Sequence, residues 1–321
     1  MTYLFFITIL FVSELVYFKL ADKYNIIDKP NGRSSHSVIT IRGGGIIFPI
    51  SIMLWFFCFD KHYPLFVCGL LLISFISFLD DIKDFSKRIR LTVHLTAMGL
   101  VFLQLQLFNL NWIIILAIIV FFIGVINAYN FMDGINGITG IYSIVALLTL
   151  LWINIYQIYF IDTSLLIMTI IGLIVFNFFN VRTNAKCFAG DVGSISMAFI
   201  ICFLLIKLII QSTDLRYLLL LVIYGIDAVF TILIRLRRGQ NIFLAHRLHL
   251  YQLLVNECGQ KHLLVAVTFG SIQALVNVLI IITISQNIYV VMALTILPLV
   301  MIYLWLRLKI SRRKLYKTGD V

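Results

Sequence analysis

Long apolar runs dominate the chain, and short polar stretches interrupt them at near-regular intervals. The runs cover 1–18, 43–59, 64–79, 91–106, 111–127, 137–155, 164–180, 194–210, 216–234, 263–283 and 287–306. Each is close to the ~20 residues a helix needs to cross about 30 Å of hydrocarbon. Their apolarity is continuous, whereas a membrane barrel would alternate over segments of about ten residues, so helices are expected. The pattern predicts an all-α fold: a polytopic transmembrane helical bundle of about 10–11 spans forming a single integral membrane domain, 1–321. The first run lacks the basic start and small-residue cleavage site of a secretory signal, and is expected to be a retained span.

Composition agrees. The 321 residues are 62% hydrophobic and 12% charged, far below the roughly 25% charged residues of a soluble domain. The five cysteines are scattered, without CxxC spacing, and suggest neither a disulfide framework nor a zinc site. Charge then sets orientation. With the N-terminus outside and the C-terminus inside, 22 of the 25 Lys and Arg fall in inner segments, and only Lys61, Lys207 and Arg216 fall outside. The net charge of +11 is therefore an inner-surface feature, explained by topology and anionic lipid, and implies no nucleic acid.

The polar residues capable of chemistry collect in the same inner segments. "FLDDIKDFSKRIR" places Asp80 and Asp81 where the third span ends, with Asp84 one turn on, sharing a helix face with Asp80. Adjacent carboxylates call for a cation or a shared proton, unless this is a solvated helix end balanced by Lys83, Lys87 and Arg88. "NAYNFMDGING" offers Asn127, Asn130, Asp133 and Asn136 with Gly134 and Gly137, either as a polar turn or as a ligand loop reaching into a wet cavity. In "NAKCFAGDVGS", Asp191 lies between two glycines before a span that Ser194 could cap. That suits Mg²⁺ with a phosphate, or a helix cap alone. Phe188 reads either as an interfacial aromatic or as a stacking surface for a base.

"NIFLAHRLHLYQLL" puts His246 and His249 at i, i+3, expected on one helical face, with Arg247 able to hold phosphate oxygens bidentately. A weaker signal is "DKPNGRSSHSVITIRGGG", with Lys29, Arg33, His36, Arg42 and a glycine triplet able to cradle phosphate. Asp227 lies inside the ninth span, where Arg235 two turns on is its expected partner. All five constellations follow odd-numbered crossings and so share one side. Metal-type oxygen ligands and phosphate-type cations converging at a lipid boundary suggest a metal-dependent enzyme joining a phosphate-bearing donor to a lipid.

At these residues the chain resembles the polyprenyl-phosphate N-acetylhexosamine-1-phosphate transferases, through the DDxxD at Asp80, the NxxNFxDGxxG from Asn127 to Gly137, the FxGDxGS at Phe188 and the basic loop ending in His. The resemblance implies transfer of a sugar 1-phosphate from a UDP-N-acetylhexosamine to undecaprenyl phosphate, with Mg²⁺ (or Mn²⁺), in a bacterial inner membrane. It implies catalytic roles for Asp80, Asp81 and Asp133, and Asp191 and Asn130 as metal ligands. Lys29, Arg33, Asn127, Asn136, Phe188, His246, Arg247 and His249 are then expected to bind substrate. Membrane lipids and a second copy of the chain complete the expected partners. Two departures stand out. Asn136 replaces an acid common in the family, and the AHRLHLYQ loop resembles the subgroup that initiates O-antigen-type polysaccharides. A secondary transporter and a non-catalytic scaffold are the competing classes.

Overall fold

The computed structural model describes residues 2–30, 38–83, 85–241, 244 and 246–318. Among these it is almost entirely helical. The helices are α1 (Thr2–Lys23), α2 (Ile47–Cys58), α3 (Pro64–Ile82), α4 (Lys87–Gln104), α5 (Trp112–Met132), α6 (Ile138–Tyr156), α7 (Thr163–Asn180), α8 (Gly190–Ser212), α9 (Val222–Arg237), α10 (Leu250–Asn256), α11 (His262–Ile282) and α12 (Ile288–Thr318). A 3-10 turn, Gly44–Ile46, leads into α2, and a longer one, Leu215–Leu221, leads into α9. The two strands, β1 (Ile27–Asp28) and β2 (Thr40–Ile41), form one short antiparallel pair.

Nine helices among the described residues are long and apolar enough to cross a membrane, and this is a multi-pass membrane protein. The two expected spans outside that set are α2 and α4. The first is a shorter apolar helix that begins in the Gly44 turn. The second carries Lys87, Arg88 and Arg90 in its first turn, which dilute its apolarity. Both nevertheless run antiparallel along full spans. Leu65 of α3 donates its amide to Gln104 at 2.9 Å, Gly69 abuts Ala97, and Asp80 meets Arg90 at the other end. Likewise Trp55 donates from Nε1 to Ser164 at 2.8 Å, while Ser51 lies against Gly172 of α7. All eleven expected spans therefore exist as helices.

Helix starts follow local chemistry. Asn111 and Asp162 accept the amides of Ile113 (2.9 Å) and Ser164 (2.6 Å), and Pro64 opens α3, where its missing N–H leaves no bond unmade. Burial follows composition. The helix α8, hydrophobic on every side, is buried continuously from Val192 to Ile206 and forms the centre of the bundle. By contrast α12 exposes Leu294, Met301 and Leu308, a surface suited to acyl chains. With α8 fixed at the centre, its N-terminus becomes the point around which the polar residues of one end gather.

Candidate active site

The chain around Gly43 is stitched to the loop before α8. Phe188 donates its amide to the Ile41 carbonyl at 2.8 Å, and Gly44 and Gly45 donate to the carbonyls of Phe188 and Ala189 at 2.8 and 3.1 Å. Two of the three glycines, Gly44 and Gly45, thus spend their amides on the protein, which counts against reading them as a phosphate cradle. Their smallness serves packing instead, since a Cβ at Gly45 would fall 2.1 Å from the Gly193 Cα.

Asp81, at the end of α3, caps α8. Its carboxylate accepts the amides of Asp191 (2.9 Å) and Val192 (3.0 Å), and Arg42 Nε stands 2.7 Å away. A carboxylate there meets unsatisfied N–H groups and the positive end of the helix dipole. Ser194, the expected cap, instead donates to the Gly190 carbonyl one turn back at 3.0 Å. Asp80 turns the other way, accepting the Phe85 amide at 2.7 Å and an Arg90 guanidinium N–H. Asp84 lies outside the described residues.

Asp191 is left facing both arginines without a direct bond, at 3.6 Å from Arg42 and 3.7 Å from Arg90. It also comes within hydrogen-bonding reach of Asp80, a carboxyl–carboxyl contact that needs a shared proton or a cation. Burial works against the charge on Arg42, but Asp81, Asp191 and Asp28 outweigh it and hold the guanidinium above its ordinary value.

Asp191 opens onto a cavity of about 240 Å³ shared with Asn130, Asp133, Asn136, Phe188 and Arg42. Asp133, half-buried at the end of α5, accepts the Thr139 hydroxyl at 2.7 Å. Burial raises its carboxyl to about 7; the Thr139 bond opposes this, and the charge on Asp191 adds to it. Asn136 has a fixed orientation, because its Nδ2 donates to the carbonyls of Arg182 and Thr183, both at 2.9 Å. Its buried Oδ1 has no partner. Asn136, Phe188 and His262 also line an adjoining cavity of about 410 Å³.

On the other side, Asn130 and Gln252 pass into a third cavity of about 500 Å³. Its wall is largely apolar, with Leu91, Met98, Ile123, Ile126 and Ile195, while Lys87, Arg90, His246 and His249 supply the polar groups. His246 and His249 do not share a helical face, since α10 starts only at Leu250. Their rings still lie 5.0 Å apart, His249 buried and His246 half-buried. Burial and the neighbouring His249, Arg235 and Arg307 lower the His246 imidazole to about 4.

The structure thus brings together Asp80, Asp81, Asn130, Asp133, Asn136, Phe188, Asp191, His246 and His249. Asn127 stands apart from the polar cavity: it is exposed beside the apolar one, and its Nδ2 bonds the Ile123 carbonyl of its own helix at 2.8 Å. Lys29 is exposed on the loop after β1, away from the cavity linings, and Arg33 lies outside the described residues, as does His36. Arg247 is half-buried and lines none of the three cavities.

Residues 63–209, just under half of the chain, match the family model of glycosyl transferase family 4. The match supports a likeness to that family over this segment. The matched segment contains Asp80, Asp81, Asn130, Asp133 and Asp191. No curated protein matches the chain.

Several site residues have roles the sequence did not assign. Arg42, expected only as part of a weak phosphate signal, and Arg90, in sequence one more inner-side cation, organise the acids. Asn180 accepts the Gly137 amide and donates to the Cys187 carbonyl, both at 2.8 Å, and so locks two loops together. Gln252 lies within the quoted histidine segment but was given no role there, and His262 reaches the cavity from the start of α11. Only the density of polar residues near a helix start marks them in the sequence.

The donor set around Asp191 fits a hard divalent cation. Among the described residues no three His, Cys, Asp or Glu side chains are arranged to enclose a metal ion. Mg²⁺ does not require such a cage, because it is usually held by one or two carboxylates plus water and substrate phosphates.

Proposed function

We propose that the protein transfers an N-acetylhexosamine 1-phosphate from a UDP-sugar to undecaprenyl phosphate, releasing UMP, at the cytoplasmic face of a bacterial inner membrane. The product lipid would initiate a cell-surface polysaccharide of the O-antigen type. One observation carries this reading: a polar cavity holding Asp191, Asn130 and Asp133 joins an apolar one flanked by Lys87 and Arg90. Such a junction suits a water-soluble donor and a lipid phosphate that must react with each other.

In this reading Phe188 and the fixed amide of Asn136 receive the nucleotide end. Asn136 can only accept a hydrogen bond from a ligand, because both carbonyls of its own chain hold its NH₂. Lys87 and Arg90 attract the lipid phosphate, while the apolar wall of the same cavity takes the start of its chain. Asp191, with Asn130 beside it, would hold Mg²⁺, which would neutralise the diphosphate when bound. Asp81 and Arg42 keep the N-terminus of α8 in register, and Asp80 aims Arg90. Phosphoryl transfer depends mainly on such positioning and charge neutralisation. Direct attack by the acceptor phosphate on the β-phosphorus is the simplest route, with Arg42 and Arg90 balancing charge.

A transporter would present ligand groups near mid-bilayer. Here the polar residues at that depth bond one another: Tyr142 donates to Gln273 (2.6 Å), Gln273 to Asn277 (2.7 Å) and Asn277 to Thr149 (2.9 Å). The test is UMP release by purified protein supplied with a panel of UDP-sugars, with and without undecaprenyl phosphate and Mg²⁺. UMP that forms only with lipid and metal supports the transferase. Movement of an intact sugar nucleotide across vesicles, with no UMP, would replace it with a carrier.

A further inference from the structure

His249 is buried, lines the apolar cavity, and has an Nε2 without a protein partner. Its other ring nitrogen, Nδ1, makes no hydrogen bond in this geometry either, but it faces Asp227, a carboxylate buried inside the span of α9, at 3.4 Å. Arg235 was the expected partner of Asp227, but it reaches elsewhere, donating from Nη2 to the carbonyls of Asn241 and Leu244. Asp227 instead accepts the Leu250 amide at 2.9 Å and the hydroxyls of Thr231 and Tyr303, both at 3.2 Å. Arg307 of α12 closes the group, donating to Tyr303 and, at 3.0 Å, to Thr231. One carboxylate therefore ties α9, the histidine segment and α12 together.

A buried carboxylate within a span is expensive and usually serves a function. Its position also has a specific consequence for the imidazole. A carboxylate facing Nδ1 favours the tautomer with the proton on Nδ1, and that leaves the Nε2 lone pair directed away from it.

We infer that Asp227 is a positioning residue: it holds His249 so that Nε2 faces the cavity as an acceptor toward the P–O–H of a monoprotonated lipid phosphate, and Tyr303 and Arg307 hold Asp227. The inference rests on the proposed transferase reading. It gives the last helix, whose outer surface is otherwise suited to lipid, a part in orienting a substrate-facing group. His246 is the ring nearest His249, yet among the described residues no carboxylate faces it at comparable distance.

The test uses the full chain in lipid nanodiscs, comparing wild type with Asp227→Asn, His249→Gln, the double variant and Tyr303→Phe. Two readouts are taken: transfer kinetics at varied lipid and nucleotide concentrations, and ¹⁵N resonances of labelled histidine. Each of the first two changes is expected to lower kcat by about 10–100-fold, with KM for the sugar nucleotide unchanged and the double variant no worse than His249→Gln. Tyr303→Phe keeps the carboxylate and should lower kcat less, in the same direction. The His249 signals, found as those missing in His249→Gln, should report Nδ1–H in wild type and change in Asp227→Asn.

Additive losses in the double variant would overturn the inference, as would a fall in nucleotide binding parallel to kcat or a tautomer indifferent to Asp227→Asn. Should wild type transfer nothing from any sugar nucleotide, the transferase reading fails, while the ¹⁵N spectra still decide whether Asp227 sets the His249 tautomer.

Discussion

Two of the polar clusters within this bundle are finished differently. The cluster of Tyr142, Gln273, Asn277 and Thr149 is closed: Gln273 also donates to the Leu219 carbonyl at 2.8 Å, which satisfies a backbone group of the 3-10 turn before α9. The cluster at the basic end is open. Asn136 Oδ1 and His249 Nε2 lack partners, and Asp191 meets its arginines only at ion-pair distance. Hydrocarbon penalises an unpaired polar group severely, so a closed network reads as glue between helices and an open one as a place for a ligand.

Breaking each cluster should therefore have opposite consequences. Asp191→Ala is expected to lower turnover by about 10²–10³-fold or more while leaving the thermal unfolding midpoint unchanged, measured by UMP release and by intrinsic fluorescence. A midpoint that falls with activity would move Asp191 from the ligand side of the comparison to the structural side. Asp81→Asn tests the boundary, because that carboxylate both caps α8 and pairs with Arg42. Asp81 is buried but Arg42 is partly open to water, so loss of the cap and the pair is expected to cost about 1–3 kcal/mol, seen in denaturant unfolding together with lost turnover.

In the closed cluster, Gln273→Leu is expected to cost about 0.6–1.7 kcal/mol and to leave kcat unchanged. A kcat that dropped without any loss of stability would mean that this network also serves the reaction. The smallest effect is a titration. With the Asp133 carboxyl at about 7, a protonated-carboxyl infrared band should fade as pH rises through 7 in the ligand-free protein, and should be missing in Asp133→Asn. The sign follows from the raised value: the protonated form is the one the fold favours. Its contribution to stability is present in acid and is lost as pH climbs from the free carboxyl range, near ~4, through 7.

Much of this was legible in the chain because membrane helices announce themselves. The eleven apolar runs, their spacing and the one-sided placement of polar loops follow from hydrocarbon thickness, a constraint that acts on composition alone. The acids Asp80, Asp81, Asp133 and Asp191 were likewise visible, since carboxylates are rare in such a sequence. What the sequence hid was partnership. Asp81 caps α8 across 110 residues of chain, and no local spacing encodes that. The glycine triplet has the composition of a phosphate loop, yet Gly45 serves the contact with Gly193. His246 and His249 have helical spacing but lie ahead of the helix, because Asp227 captures the Leu250 amide at its start. Asp227 and Arg235 look like a pair along one helix, until α12 and the histidine segment bring better-placed partners. In each case a long-range contact overrides a local rule.

The most direct test follows the β-phosphorus. With a UDP-sugar carrying ³²P only in the β-phosphate, the purified protein, undecaprenyl phosphate and Mg²⁺ should move the label into the organic-extractable lipid and release unlabelled UMP. Label that stays in water as UDP while the sugar alone reaches the lipid would contradict sugar 1-phosphate transfer, and with it the division of labour between the joined cavities.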